Sequence, residues 1–197
     1  MAVNWAAKIK NYYDDHLILH KRKNKIQGTK DHFANLNNEH SINKILNDLK
    51  SNEPVIINYC DFNCFWDYKK FKREIYGYDG AIVSFRGFHP SSFTGTLYCY
   101  LKVKNRLVTE LREKKSFTNK PFEEFASTGI YYFKDFGIFK ENGYKALKNK
   151  NMIKQHKEIY VSLPYIFLLN NKANILNFEV DRFVSLGTPK DLSLIHI

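Results

Sequence analysis

One carboxylate in the sequence stands where a run of β-prone residues ends. Val55, Ile56 and Ile57 belong to the stretch VIINYCDFN, which predicts a buried strand that leads directly to Asp61. A side chain just past the carboxyl end of a parallel strand lies where α/β sheets bind ligands, and Mg²⁺ is held there by one or two carboxylates with phosphate oxygens. Asp is also a common turn residue. The sequence therefore leaves two interpretations of Asp61, a metal ligand or a turn.

A second candidate is the lysine that ends another predicted strand. Glu113, Lys114 and Lys115 close the stretch RLVTELREKK. A lysine ammonium at such a position could bind a phosphate group as a point charge. The alternative is an ordinary exposed and charged strand end, which these three residues do not exclude by themselves.

Two further positions could contact a ligand. Thr128 and Gly129 lie in the predicted strand ASTGIYYF, where Gly either permits close approach of a ligand to the backbone or marks a bulge. Glu158 is either an acceptor for sugar hydroxyls or an acidic residue in the first turn of a helix. His89 lies in a loop without a visible catalytic partner, and Cys60 and Cys64 lack the spacing of a zinc site.

The elements that would position these residues follow an α/β pattern. Helical spacing of Ile42, Ile45, Leu46 and Leu49 precedes the turn SNEP and the strand VIINYC, and helix, turn, strand is the order typical of a parallel sheet. Further strands are predicted at 16–20, 81–85, 96–104, 106–114, 126–133 and 173–180, with a hairpin turn at Lys104-Asn105; helices are predicted at 68–75 and 139–148 and within 156–171. We expect one α/β domain with a mixed sheet.

Composition narrows the class of protein. The chain has 197 residues, 44% of them hydrophobic, which is enough for one domain with a core. The formal net charge is +11, but the lysines are scattered, so we expect no nucleic-acid partner; a basic site mouth would also suit a small phosphorylated ligand. No apolar run approaches bilayer-spanning length, so we expect no membrane partner. Three cysteines and no signal-peptide pattern predict a cytoplasmic location.

The order of the motifs is more specific than any one of them. CDFN, EKK, STGIYYF, KEIYVSLPY and VSLGTPKDL, in this order between about Gln27 and Asp191, resemble the sugar-phosphate nucleotidyltransferase family, and within it the bacterial members associated with capsule and surface polysaccharides. The resemblance implies a Rossmann-like, three-layer α/β domain with a mixed, mostly parallel sheet. It also implies transfer of a nucleotidyl group from an NTP to a sugar 1-phosphate, which gives an NDP-sugar and pyrophosphate, with Mg²⁺ as cofactor.

The resemblance assigns roles to single residues. Asp61 matches the metal-binding aspartate. Lys114 matches the catalytic lysine that contacts the sugar phosphate, although Lys115 replaces the proline that usually follows. The other matched positions are implied to bind substrate: Gln27 and Gly28 near the base or phosphates, Thr128 and Gly129 near the sugar, and Glu158 at the sugar hydroxyls.

Two departures from the family pattern modify these expectations. Ser185 stands where a second metal-binding carboxylate is usual, so either Mg²⁺ has fewer protein ligands or Asp181 or Glu179 compensates. None of the nine glycines precedes Gly28, so the usual Gly-rich loop that cradles the triphosphate is not found ahead of it.

The sequence also predicts that the chain is a fragment. Its last six residues, LSLIHI, match the translation of a common transposon-based sequencing adapter. We therefore expect a partial, N-terminally truncated nucleotidyltransferase domain at 1–191 with an adapter-derived tail at 192–197, inactive by itself. The alternative is a non-catalytic module that binds a sugar phosphate or a partner. The sugar, the base and the oligomeric state are not determined by the sequence.

Overall fold

A computed structural model describes residues 17–21, 52–59, 61–87, 95–156, 160–186 and 191. Its strands are β1 (Leu17–Lys21), β2 (Val55–Tyr59), β3 (Phe62–Phe65), β4 (Gly80–Phe85), β5 (Cys99–Lys104), β6 (Leu107–Glu113), β7 (Phe125–Phe133), β8 (Ile175–Glu179) and β9 (Arg182–Ser185). Its helices are α1 (Tyr68–Glu74), α2 (Phe136–Lys148), α3 (Lys150–His156) and α4 (Pro164–Asn170), with a 3₁₀ turn at Pro121–Glu123.

Seven strands form one mixed sheet in the order β1-β2-β7-β4-β8-β6-β5. The pairs β1–β2 and β4–β8 are parallel, and the other five pairings that the described residues make are antiparallel. Strand β5 also pairs with β7, so β7, β4, β8, β6 and β5 close on one another like a barrel. The prediction of an α/β domain with a mixed sheet is confirmed, but the prediction of a mostly parallel sheet is wrong.

The reason for the antiparallel majority is the route of the chain into β7. A parallel neighbour of β4 would require a crossover connection, usually a helix. Instead the hairpin β5–β6 and the short 3₁₀ turn precede β7, which enters between β2 and β4 and runs against both. The prediction of a parallel sheet came from one segment, the helix and turn that lead into β2. It does not hold for β5, β6 and β7, which a hairpin and a short turn connect.

Two features of the strands differ from the prediction: the position of the hairpin turn and the presence of a second, small sheet. Asn105 and Arg106, both with positive φ (50° and 66°), form the hairpin turn one residue later than predicted, as expected for the mirror-image turns that match strand twist. Strands β3 and β9 form a separate antiparallel ribbon, which the sequence did not predict. Helix α4 begins at Pro164, which needs no N–H partner there.

The core lies on both faces of the main sheet. Because side chains alternate along a strand, Val55 and Ile57 face one cluster and Ile56 faces the other. Aromatic residues of α2 and α4 cover the first face, and α1 with the β3–β9 ribbon covers the second. At about 25 cal/mol per Å² of apolar surface, each fully buried aliphatic side chain contributes roughly 2 kcal/mol to folding.

Candidate functional site

Asp61 connects two sheets. It follows β2 of the main sheet and immediately precedes β3 of the ribbon, and its carbonyl accepts a hydrogen bond from the N–H of Leu186 at 2.7 Å. The side chain is half-buried. The backbone of Asp61 is therefore hydrogen-bonded to the residue that follows β9, at the junction of the two sheets.

Lys114 has a constrained backbone at the end of β6. Its φ is +55°, a left-handed conformation that is uncommon for a residue with a side chain. Two hydrogen bonds hold it there: its N–H donates to the carbonyl of Tyr98 at 2.9 Å, and its carbonyl accepts from the Thr96 hydroxyl at 2.7 Å. Such outliers cluster at ligand-binding sites, where the surrounding structure maintains the strain.

The side chains of Glu113 and Lys114 both contact one short segment before α4. The Lys114 ammonium donates to the Tyr160 hydroxyl at 2.5 Å and lies 4.5 Å from the centroid of its ring. The Ser162 hydroxyl donates to the Glu113 carboxylate at 2.5 Å. Val161, between them, hydrogen-bonds through its backbone with Tyr59. Residues 160–162 therefore join the ends of β2 and β6.

Tyr59 lies at the centre of this arrangement. Burial raises the pKa of its phenol strongly, and the negative charges of Glu113 and, to a smaller extent, Asp61 raise it further. Both Glu113 and Asp61 are therefore close enough to Tyr59 for their charges to act on its phenol. Tyr59 also packs edge-on against Tyr131, with centroids 6.1 Å apart.

Cys99 extends the buried polar cluster. It is opposite Glu113 in the β5–β6 ladder and interacts with Ser162 and Glu113. Burial, followed by the charge of Glu113, raises its pKa well above the usual range of a thiol. Cys99 is therefore a protonated core thiol and not a reactive thiolate.

Thr128 and Gly129 form a bulge within β7. The register against β4 shifts between Val83 and Ser84, and Gly129 has φ +97°. The Thr128 hydroxyl donates to the carbonyl of Val83 at 3.0 Å. A Cβ on Gly129 would come within 3.0 Å of the ring of Tyr59, so the missing side chain makes room for that tyrosine. The sugar contacts implied for Thr128 and Gly129 stay predictions.

A buried hydroxyl stands at the position where the resemblance implies a second metal-binding carboxylate. Ser185 pairs with Phe62, next to Asp61, and its hydroxyl donates to the carboxylate of the buried Asp191 at 2.9 Å. The sequence suggested two carboxylates that could compensate, Glu179 and Asp181. Glu179 forms an ion pair with Arg86 at 2.8 Å, and Asp181 binds through its N–H to Phe65, at the far end of the ribbon, about 10 Å along the strand.

The donor set is compatible with Mg²⁺ only in a limited way. Among the described residues, no group of three or more His, Cys, Asp or Glu side chains could hold a metal ion. Nucleotide-bound Mg²⁺ needs only one or two carboxylates, because phosphates and water supply the remaining oxygens. Asp61 fits the requirement for one such carboxylate.

Several functional candidates were missed by the sequence, and others lie outside the described residues. Tyr59, Tyr160 and Ser162 are joined by contacts between elements, and no local motif indicates them. His156, the last residue of α3, lies close enough to Lys114 that this charge, after burial, lowers the pKa of its imidazole. Gln27, Gly28 and Glu158 lie outside the part that the structure describes.

No helix within the described ranges is long and apolar enough to cross a membrane.

A scan against family models found no match, and no curated protein matches the chain.

Solved structures do resemble the fold. A nucleoside-diphosphate-sugar pyrophosphorylase from Vibrio cholerae RC9 matches 78% of this chain with a TM-score of 0.59 and 16% identity. A putative glucose-1-phosphate thymidylyltransferase from Bacillus anthracis, in complex with a sucrose, matches 76% with a TM-score of 0.55 and 15% identity. The chain spans 60% and 56% of the lengths of these proteins. At this identity the likeness establishes a nucleotidyltransferase fold.

Proposed function

We propose that the chain is part of a nucleotidyltransferase that joins a nucleotidyl group from an NTP to a sugar 1-phosphate, in a bacterial pathway of surface-polysaccharide synthesis. The observation that carries the proposal is the junction at residues 160–162. There Lys114, held at φ +55°, donates to Tyr160, Ser162 donates to Glu113, and the backbone of Val161 bonds with Tyr59, the last residue of the strand that leads to Asp61. The names of the two similar structures support this substrate class by analogy.

The proposed reaction is an in-line displacement at phosphorus. An oxygen of the sugar phosphate attacks the α-phosphorus of the NTP, the bond from that phosphorus to the bridging oxygen breaks, and pyrophosphate leaves. Lys114 would bind and orient the sugar phosphate, which is the main contribution that a protein makes to such a step. Asp61 would hold Mg²⁺, which neutralises phosphate charge when bound.

The chain by itself provides only part of this machinery. No Gly-rich sequence that could cradle a triphosphate through backbone N–H groups precedes Gly28. We therefore expect the 197-residue chain to bind a sugar phosphate but to release no pyrophosphate from an NTP and a sugar 1-phosphate at an ordinary enzymatic rate.

Calorimetric titration with glucose 1-phosphate tests the proposed substrate site. We expect measurable binding that weakens at least 10-fold in Lys114→Met, because a charge-assisted hydrogen bond is lost. Lys148→Met, which removes an equal charge from the last turn of α2, is the matched control and should bind as the wild type does. Equal affinity in Lys114→Met and the wild type, or no binding at all, would contradict the proposal.

A second candidate is a non-catalytic sugar-phosphate or partner-binding module. Ser185 and its bond to Asp191, in place of a second metal-facing carboxylate, favour this reading. Titration with an NTP, with and without Mg²⁺, separates the two candidates. Mg²⁺-dependent nucleotide binding supports the transferase, and sugar-phosphate binding without it supports the module.

A further inference from the structure

The environment of the Lys114 ammonium contains two side chains that the family resemblance does not assign. Tyr160 accepts a hydrogen bond from the ammonium and places its ring 4.5 Å away, a favourable position for a cation. His156 is partly buried and close enough for the lysine charge to act on its imidazole. A cation and a phenol are therefore in direct contact at a partly exposed site, and an imidazole lies within reach of the charge of that cation.

Hydrogen bonds of the surrounding segments position Lys114 and Tyr160 for their contact. Tyr98 and Thr96 hold Lys114 in its left-handed conformation, which fixes the direction in which the lysine side chain leaves β6. The Ser162–Glu113 hydrogen bond fixes the segment that carries Tyr160. Because hydrogen bonds hold the segments that carry both residues, the fold determines the contact between Lys114 and Tyr160, and not two mobile side chains alone.

The donor chemistry suits a dianionic phosphate ester. A phenol that accepts from an ammonium still carries its own proton, which it can donate to an anion bound at that ammonium. Hydrogen bonds to ionised oxygens are the strong class, so the ammonium and the phenol together discriminate a phosphate monoester from a neutral sugar.

We propose that Tyr160 is a positioning residue which holds the Lys114 ammonium in place before substrate arrives, and that its hydroxyl then completes a phosphomonoester site with Lys114, with His156 as a nearby reporter of the bound charge. This inference rests on the proposed function and deepens it, since it names the residues that would recognise the phosphate end of the substrate. Its occupant is a hexose 1-phosphate.

Titration with glucose 1-phosphate, followed by calorimetry and by NMR of histidine ring protons, tests the inference. Tyr160→Phe keeps the ring and loses the hydroxyl, and we expect roughly 10-fold weaker binding. Tyr160→Leu also loses the cation–π contact and should bind more weakly still. Tyr76→Phe, on a tyrosine that is 91% exposed, is the control and should leave the affinity unchanged.

The histidine signal gives a readout that a structural role would not move. A bound dianion stabilises the imidazolium, so saturating glucose 1-phosphate should raise the pKa of His156; His156→Gln assigns its resonance. Without ligand, Lys114→Met should also raise this pKa, but not to its ordinary value, because burial is the larger cause of the depression.

The outcomes separate this inference from the proposed function. Unchanged affinity in folded Tyr160→Phe, or an unmoved His156 resonance at saturation, overturns the inference while the lysine site stands. Loss of binding in Lys114→Met together with the weakened tyrosine variants supports both. Absence of any binding by the wild type overturns both.

Discussion

At the scale of single residues, the informative contact joins a glycine and a tyrosine. Gly129 has a positive φ, and its missing side chain accommodates the ring of Tyr59, whose phenol is within reach of the charges of Glu113 and Asp61. Gly129, whose positive φ forms the bulge in β7, therefore also determines where the ring of Tyr59 can lie.

Gly129→Ala tests this relation. The substitution combines a strained φ with a Cβ 3.0 Å from Tyr59, so we expect the free energy of unfolding to fall by about 2–3 kcal/mol. Urea denaturation measures the loss. A matched control is Gly143→Ala in α2, where a Cβ meets no atom within 4 Å; it should stabilise the chain by roughly 0.5–1 kcal/mol. Equal effects of the two substitutions would refute the steric argument.

At the scale of elements, a side-chain cap decides where helix α2 begins. The Asp135 carboxylate accepts from the N–H groups of Gly137 and Ile138, at 2.5 and 3.2 Å, and starts α2 at Phe136. The sequence predicted a start at Phe139, because Gly137 weakens the helical pattern of the first turn. The cap and the burial of Phe136 outweigh that local preference.

Asp135→Ala should cost about 1 kcal/mol of stability, since two helix N–H groups lose their acceptor. Asp135→Ser retains a capping oxygen and should recover most of the loss, again measured by urea denaturation. If serine is no better than alanine, the carboxylate does not act as a cap.

At the scale of the whole molecule, one helix is attached to two neighbouring strands by a single phenol. The hydroxyl of the fully buried Tyr165 in α4 lies 2.6 Å from the carbonyl of Tyr132 in β7 and 3.0 Å from that of Ala81 in β4. Its ring also packs against Phe133, with centroids 4.5 Å apart. This residue therefore fixes the helical layer over an antiparallel pair of strands.

Tyr165→Phe keeps the packing and removes the hydroxyl, and we expect a loss of roughly 1 kcal/mol in the free energy of unfolding. The exposed Tyr76→Phe should have no effect on the same measurement. A neutral Tyr165→Phe would mean that packing alone positions α4.

The sequence by itself determined the local features of this protein. Alternating and continuous apolar runs located β2, β4, β7 and β8, and the order of short motifs indicated the fold that the solved structures share. These features depend on neighbouring residues only, and side-chain periodicity reports them directly.

Only the tertiary structure decided how the strands run and which side chains meet. Because β7 lies between β2 and β4 and runs antiparallel to both, the sheet is mostly antiparallel and not mostly parallel as predicted. The packing of residues 160–162 places Tyr160 against Lys114 and Ser162 against Glu113. The physical reason is that strand order and these contacts come from packing between segments that lie far apart in the sequence, from 46 residues for Lys114 and Tyr160 to more than 70 for β2 and β7, and such packing leaves no periodic trace in the sequence.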